Sequence, residues 1–197
     1  RAVRILCTPI GHSTHQQPTE RKSVYENKGQ RFARMAQVID AAWRVMPRVQ
    51  FLGTGNAFTP HGRMHALALI DGKILVDAPP TLLPQLRRVG VSSDEIEHLL
   101  FTHWHADHMF GFPFLILERK VVSNAENPLN VYLRPGGKEI LSNLSHVGFP
   151  GSLNKVLNDD INWLEKESGE IENSDWSFER FQVVHTPETD PHGYMLT

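Results

Sequence analysis

The chain has 197 residues, of which 40% are hydrophobic, and this is enough for one sizeable core. Its 20 basic and 22 acidic residues give a formal charge of −2, so no strong overall field directs it towards nucleic acid or an anionic membrane. The single cysteine, Cys7, excludes an intrachain disulfide framework and fits a cytoplasmic setting. No apolar run approaches the ~20 residues that span a bilayer, so no membrane partner is expected.

Residues 1–48 are predicted to form an N-terminal segment. It holds a short strand at 3–7 and an amphipathic helix at 29–46, where apolar side chains recur every three or four positions. A main domain is predicted at 49–197. It begins with the strand VQFLGTG and continues with two β-rich runs joined at Asp71-Gly72, which is a strong hairpin signal.

Helices and strands alternate in the rest of the chain. TLLPQLRRVG predicts a helix closed by Gly90, and a buried strand follows at residues 96–101. DHMFGFPFLILERK is helical in spacing, NVYLRP reads as a strand, and GGKEILSNLSHVG reads as a helix. INWLEKE and WSFERFQVVHTP are predicted strands, the second ending at His185, and HGYMLT begins one more. This alternation indicates an α/β layered domain.

Four potential metal ligands follow the strand at 96–101 within six residues. His103 and His105 are two positions apart, so on an extended backbone both side chains can reach one metal ion. Asp107 and His108 come at the predicted start of a helix and can hold a second ion. Imidazole and carboxylate ligands favour zinc, with manganese or iron as alternatives.

The segment THWHADH, residues 102–108, resembles the signature of the metallo-β-lactamase superfamily. VDAP, which contains Asp77, resembles that superfamily's upstream Asp-x-Gly motif, although Ala78-Pro79 replaces its ending. FLGTGNAF, GFPFL and NVYLRPGGKEIL resemble the ribonuclease Z-like branch. The resemblance covers roughly residues 49–197 and implies an αββα sandwich, of which this chain holds the N-terminal half.

The resemblance also implies roles for particular residues. His103, His105 and a later histidine would bind a first metal, and Asp107 and His108 would bind a second. His185 is the favoured later histidine and His192 is the alternative. Asp77 is expected to orient a ligand rather than bind metal, and Asp107 to orient the nucleophile.

The resemblance implies two further ligands, an aspartate that bridges both metals and a final histidine on the second, in the half of the domain that follows HGYMLT. Because a half-sandwich would expose a large apolar face, a second chain, another fragment or a copy in a homo-oligomer is expected to complete the fold, unless the sequence is itself truncated at its C-terminus. His12 and His15 are alternative ligands from the N-terminal segment.

The implied activity is hydrolysis by a metal-bound hydroxide, with a small-molecule or nucleic-acid phosphodiester as the expected substrate and two divalent ions as cofactors. One alternative is another enzyme of the same fold that cleaves a thioester, lactone, sulfate ester or β-lactam, or an iron persulfide dioxygenase. The other is a non-catalytic half-domain that needs a partner chain. Two zinc ions per chain would favour a hydrolase, and one iron would favour the dioxygenase.

Overall fold

The computed structural model describes residues 3–5, as backbone, and residues 47–197. The helix predicted at 29–46, with His12 and His15, lies outside the described residues. Contacts divide the chain into one unit formed by Arg1–Pro9 and Val49–Thr197 and a second formed by Ile10–Arg48. All the elements below belong to the first unit.

A six-stranded mixed sheet is built from strands that lie between Val49 and Glu165. Its strands are β2 (Val49–Gly53), β3 (Leu67–Ile70), β4 (Ile74–Val76), β5 (His98–Leu100), β6 (Leu129–Leu133) and β7 (Ile161–Glu165), paired in that order. The first three strands pair antiparallel, and β4 to β7 run parallel. The hairpin turn between β3 and β4 is confirmed, and Asp71 and Gly72 both have positive φ, as such a turn requires.

A four-stranded antiparallel sheet stacks on the first. It contains β1 (Val3–Ile5), β10 (His192–Leu196), β9 (Ser177–Gln182) and β8 (Ser168–Glu170), paired in that order. Strand β3 shows how the two sheets meet, because all four of its residues are buried. Leu67 and Leu69 join the core on one face of the six-stranded sheet, while Ala68 and Ile70 join the core between the two sheets.

Helices cover the other face of the six-stranded sheet. They are α1 (Leu82–Arg88), α2 (Ala106–Met109), α3 (Phe112–Val121), α4 (Gly137–Gly148) and α5 (Asn154–Asp159). Leu82, Phe112, Leu141 and Leu157 lie in the core beneath them. The described residues thus form helix, sheet and sheet layers, a partial metallo-β-lactamase fold, as the sequence predicted. None of the helices in this part of the chain is long and apolar enough to cross a membrane.

Several predicted boundaries are wrong by a few residues. The strand predicted at 96–101 is restricted to β5, because residues 93–95 form a 3-10 turn capped by Ser92. The helix predicted from Asp107 is two helices, α2 and α3, separated at Phe110-Gly111. Strand β9 ends at Gln182, three residues before His185, so that histidine lies in a loop rather than at a strand end. Strand β8 and helix α5 were not predicted, since both are short and polar.

Candidate metal centre

The candidate site lies where the parallel strands β4 and β5 end. Asp77 follows β4, and Phe101 to His105 follow β5, so the two segments run side by side. The backbone N–H of Asp77 donates to the carbonyl of Leu100 at 2.8 Å and continues the pairing past the strands. The carboxyl ends of parallel strands are where α/β sheets commonly bind ligands, because the chain leaves the sheet there and exposes side chains.

Three imidazoles converge at this edge of the sheet. His105 Nδ1 is 3.1 Å from His103 Nε2 and 3.1 Å from His185 Nε2. One ring nitrogen from each of the three histidines lies within 4.8 Å of those of the other two. His103 is buried, His105 is half-buried and His185 is exposed, so the cluster is anchored in the protein on one side and open on the other.

Backbone pairing brings His185 to the other two histidines across about 80 residues of sequence. The loop after β9 runs beside the segment after β5, where the N–H of Trp104 donates to the carbonyl of Thr189 at 3.1 Å. The N–H of His192 donates to the carbonyl of Thr102 at 3.1 Å. Both bonds follow His185 in sequence, and the N–H of Val183 donates to the carbonyl of Pro191 at 3.3 Å before it. The loop is therefore held on both sides of His185, which lies beside His105.

The alternative histidine, His192, does not join the cluster. Its Nε2 accepts a hydrogen bond from Arg180 Nη1 at 2.7 Å, and its Nδ1 donates to the carbonyl of Asp190 at 3.0 Å. Both ring nitrogens are therefore engaged. Burial and the neighbouring Arg180 guanidinium lower the pKa of His192, so the ring is neutral at physiological pH.

Asp107 and His108 form a second pair of ligand atoms beside the imidazole cluster. Both lie on the short helix α2, and His108 Nε2 is 3.5 Å from Asp107 Oδ2. The His108 ring lies 4.1 Å, centroid to centroid, from the His103 ring. The structure therefore brings together the five residues predicted as ligands, in a group of three and an adjacent group of two.

Asp77 connects the two groups. It is fully buried, and its Oδ2 accepts from His108 Nδ1 at 2.7 Å and from the Thr102 hydroxyl at 2.8 Å. Its Oδ1 accepts the backbone N–H of Thr102 at 2.8 Å. Burial disfavours the carboxylate, but His108 and the Thr102 N–H outweigh it and lower the pKa of Asp77. Burial likewise opposes charge on His108, and Asp77 overcomes it and raises the His108 pKa.

Ala78-Pro79 supports the turn after Asp77 although it replaces a glycine ending. Asp77 itself has a left-handed backbone with φ of 72°. The N–H of Ala78 donates to the carbonyl of His108, and the Ala78 carbonyl accepts from the N–H of Gly111, both at 2.7 Å. A Cβ on Gly111 would lie only 2.0 Å from the Pro79 carbonyl oxygen, so glycine is required at Gly111 by this close approach.

The chemistry of the three imidazoles fits a bound divalent cation. Tetrahedral zinc with ligands at about 2.0–2.1 Å has nitrogen neighbours about 3.3 Å apart. This is close to the 3.1 Å that separates His105 Nδ1 from His103 Nε2 and from His185 Nε2. A neutral imidazole has one N–H and one lone pair, so His105 Nδ1 can make a good hydrogen bond to only one of its two neighbours. Burial and His108 lower the pKa of His103 to about 4, which keeps this ring neutral and available as a ligand.

Two polar residues of this region were not given a role by sequence reasoning. Thr102 lies inside the THWHADH segment, and its side chain is buried between Asp77 and His103. Arg180 occupies a buried position on β9, with its guanidinium 5.0 Å from the Tyr194 ring. In both cases the sequence offers one signal, a polar residue close to apolar ones. Thr102 follows an apolar strand that ends in Phe101, and Arg180 lies between Phe178 and Phe181.

The main domain is similar in sequence to known proteins. The family model described as anti-Pycsar protein Apyc1 matches residues 47–197. Ribonuclease Z of Methanothermobacter thermautotrophicus is 32% identical over 133 residues, which cover 66% of this chain and 41% of the relative. The chain therefore spans less than half the length of that relative.

Solved structures show the same fold at low sequence identity. The short form of human tRNase Z superposes with a TM-score of 0.55 at 20% identity, covering 77% of this chain and 65% of that one. The metallo-β-lactamase fold protein YhfI of Bacillus subtilis gives a TM-score of 0.59 at 14% identity, covering 77% of this chain and 58% of its own.

Proposed function

This chain belongs to the anti-Pycsar Apyc1 family and has a metallo-β-lactamase fold related to ribonuclease Z, and from that premise we propose that it acts as a metal-dependent phosphodiester hydrolase. The observation that carries the proposal is the convergence of His103 Nε2, His105 Nδ1 and His185 Nε2, with Asp107 and His108 alongside. The sequence relative named ribonuclease Z supports a phosphodiester as the bond that is cleaved.

In this proposal the three imidazoles hold one divalent ion, and Asp107 and His108 contribute to a second. Bound divalent ions lower the pKa of water towards ~7, neutralise charge on phosphate oxygens and so allow hydrolysis at neutral pH. Asp107 is 15% exposed, and its carboxylate can accept a hydrogen bond from an attacking water and orient it. The exposed side of His185 leaves this face open to substrate.

The two ligands that Asp107 and His108 offer are fewer than a two-metal site requires. We propose that a carboxylate and a histidine outside the described residues complete this second position. Zinc and manganese are the candidate ions, since imidazole and carboxylate together accept both.

Turnover of bis(p-nitrophenyl) phosphate by zinc- or manganese-loaded protein tests the assignment. We expect His103→Ala and His185→Ala each to lower turnover by more than about 100-fold, since even residues that only support ligands contribute 10–100-fold. His146→Ala is the matched control, because His146 is exposed and, among the described residues, its ring bonds the carbonyl of Ser142 within its own helix.

Parallel assays with a thioester and a β-lactam separate the phosphodiesterase from other hydrolases of this fold. Turnover of either compound, with none of the diester, would contradict the proposed substrate class. Bound metal without hydrolysis of any of the three would contradict the proposed phosphodiesterase and favour the remaining alternatives, which are a lactone or sulfate-ester hydrolase, an iron dioxygenase and the non-catalytic half-domain.

A further inference from the structure

We propose that Thr102 is a positioning residue for His103. Through the Thr102 hydroxyl the carboxylate of Asp77 orients His103, a ligand of the first metal position, and by direct contact it orients His108, a ligand of the second. This inference rests on the proposed metal site. It adds a residue to which the motif comparison gives no task and predicts which nitrogen of His103 carries hydrogen.

The Thr102 side chain sits between a carboxylate and an imidazole. Its Oγ1 is 2.8 Å from Asp77 Oδ2, 3.1 Å from Asp77 Oδ1 and 2.9 Å from His103 Nδ1. Thr102 is 1% exposed, and Asp77 and His103 are buried as well. Water therefore does not compete for these bonds, and each group depends on the other two.

The direction of each hydrogen bond follows from the number of hydrogens available. An ionised carboxylate can only accept, so the one hydroxyl hydrogen of Thr102 is donated to Asp77. The hydroxyl oxygen then accepts from His103, which places the ring hydrogen on Nδ1. His103 Nε2 keeps a free lone pair, and this is the atom that lies 3.1 Å from His105 Nδ1 in the imidazole cluster.

Asp77 also orients His108, in this case by a direct hydrogen bond. His108 Nδ1 donates to Asp77 Oδ2 at 2.7 Å, which leaves His108 Nε2 facing Asp107. The carboxylate thus fixes one ring from each ligand group, His108 directly and His103 through the hydroxyl. Outer partners of this kind fix ring orientation and raise the affinity for metal.

Substitution of Thr102 by valine and by serine distinguishes the role of its hydroxyl from that of its methyl group. Thr102→Val keeps the branched shape and removes the donor and acceptor, while Thr102→Ser keeps the hydroxyl and removes the methyl. Neither substitution alters the backbone bonds from the Thr102 N–H to Asp77 and from the His192 N–H to the Thr102 carbonyl.

The first measurement is the 15N NMR spectrum of metal-free wild-type protein, with His103 assigned by comparison with His103→Gln. We expect the His103 ring to carry hydrogen on Nδ1 at neutral pH. Hydrogen on Nε2 would overturn the proposal. Because no metal or substrate is present, this result does not depend on whether the protein is a hydrolase.

The second measurement is zinc affinity, determined by competition with a chromogenic chelator. We expect Thr102→Val to bind the first ion 10- to 100-fold more weakly than wild type and to shift His103 towards the other tautomer. Thr102→Ser should restore both readouts. Unchanged affinity and tautomer in Thr102→Val, or equal loss in Thr102→Ser, would overturn the proposal. Failure of wild-type protein to hydrolyse phosphodiesters while these results hold would instead contradict only the proposed function.

Discussion

Replacing Asp77 by asparagine isolates the charge of the residue that links the two ligand groups. Asparagine has nearly the same shape and tolerates a left-handed backbone, so the φ of 72° at this position adds no new strain. The amide nitrogen must then occupy one of the two oxygen positions. At Oδ2 it faces His108 Nδ1 and the Thr102 hydroxyl, and at Oδ1 it faces the backbone N–H of Thr102.

With the nitrogen at Oδ1, the Thr102 N–H loses its acceptor, and with the nitrogen at Oδ2, His108 and the Thr102 hydroxyl must exchange donor for acceptor roles. Both orientations remove the charge from the remaining bonds. Hydrogen bonds to charged groups contribute about 1.5–3 kcal/mol each, so loss of about two such contributions predicts a decrease of about 3 kcal/mol in the free energy of unfolding. The assay is urea unfolding of metal-free protein at pH 7.5, followed by tryptophan fluorescence. Asp175→Asn is the control, since Asp175 is exposed. A decrease below about 1 kcal/mol for Asp77→Asn would refute the view that this carboxylate supports the site.

Two further outcomes follow from the packing and charge of the described residues. Gly111→Ala should lower the free energy of unfolding by about 2–3 kcal/mol, because its Cβ would meet the Pro79 carbonyl oxygen at 2.0 Å. The control Gly148→Ala should be tolerated, since the nearest contact of its Cβ is at 3.9 Å. Equal urea midpoints for the two variants would contradict the packing around Gly111. Metal-free protein should lose stability as the pH falls from about 6.5 to about 4.5, because burial lowers the pKa of His103 to about 4 and also lowers those of His98 and His192, so the unfolded chain binds more protons than the folded one. His108, whose pKa is raised, loses its contribution to stability only above this pH range. Urea unfolding at stepped pH measures the dependence, and His98→Gln should reduce the slope of the free energy of unfolding against pH. A flat profile for the wild type would contradict the buried neutral state of these rings.

The sequence predicted those features that depend on neighbours along the chain. Asp71-Gly72 predicted the hairpin because few other dipeptides adopt two positive φ angles easily, and the alternation of strand and helix patterns predicted an α/β layered domain. The spacing of His103, His105, Asp107 and His108 predicted two adjacent ligand groups, because a strand end followed by a helix start directs these side chains to nearby points.

Tertiary structure alone decided which distant groups reach that edge. His185 and His192 are both plausible in sequence, and the pairing of the loop after β9 with the segment after β5 brings one to His105 and leaves the other bonded to Arg180. The contact of Asp77 with both Thr102 and His108 depends likewise on the parallel register of β4 and β5. Local sequence determines the chemistry and direction of a side chain, but a distance of 3 Å between residues 80 positions apart is set by the packing of whole sheets.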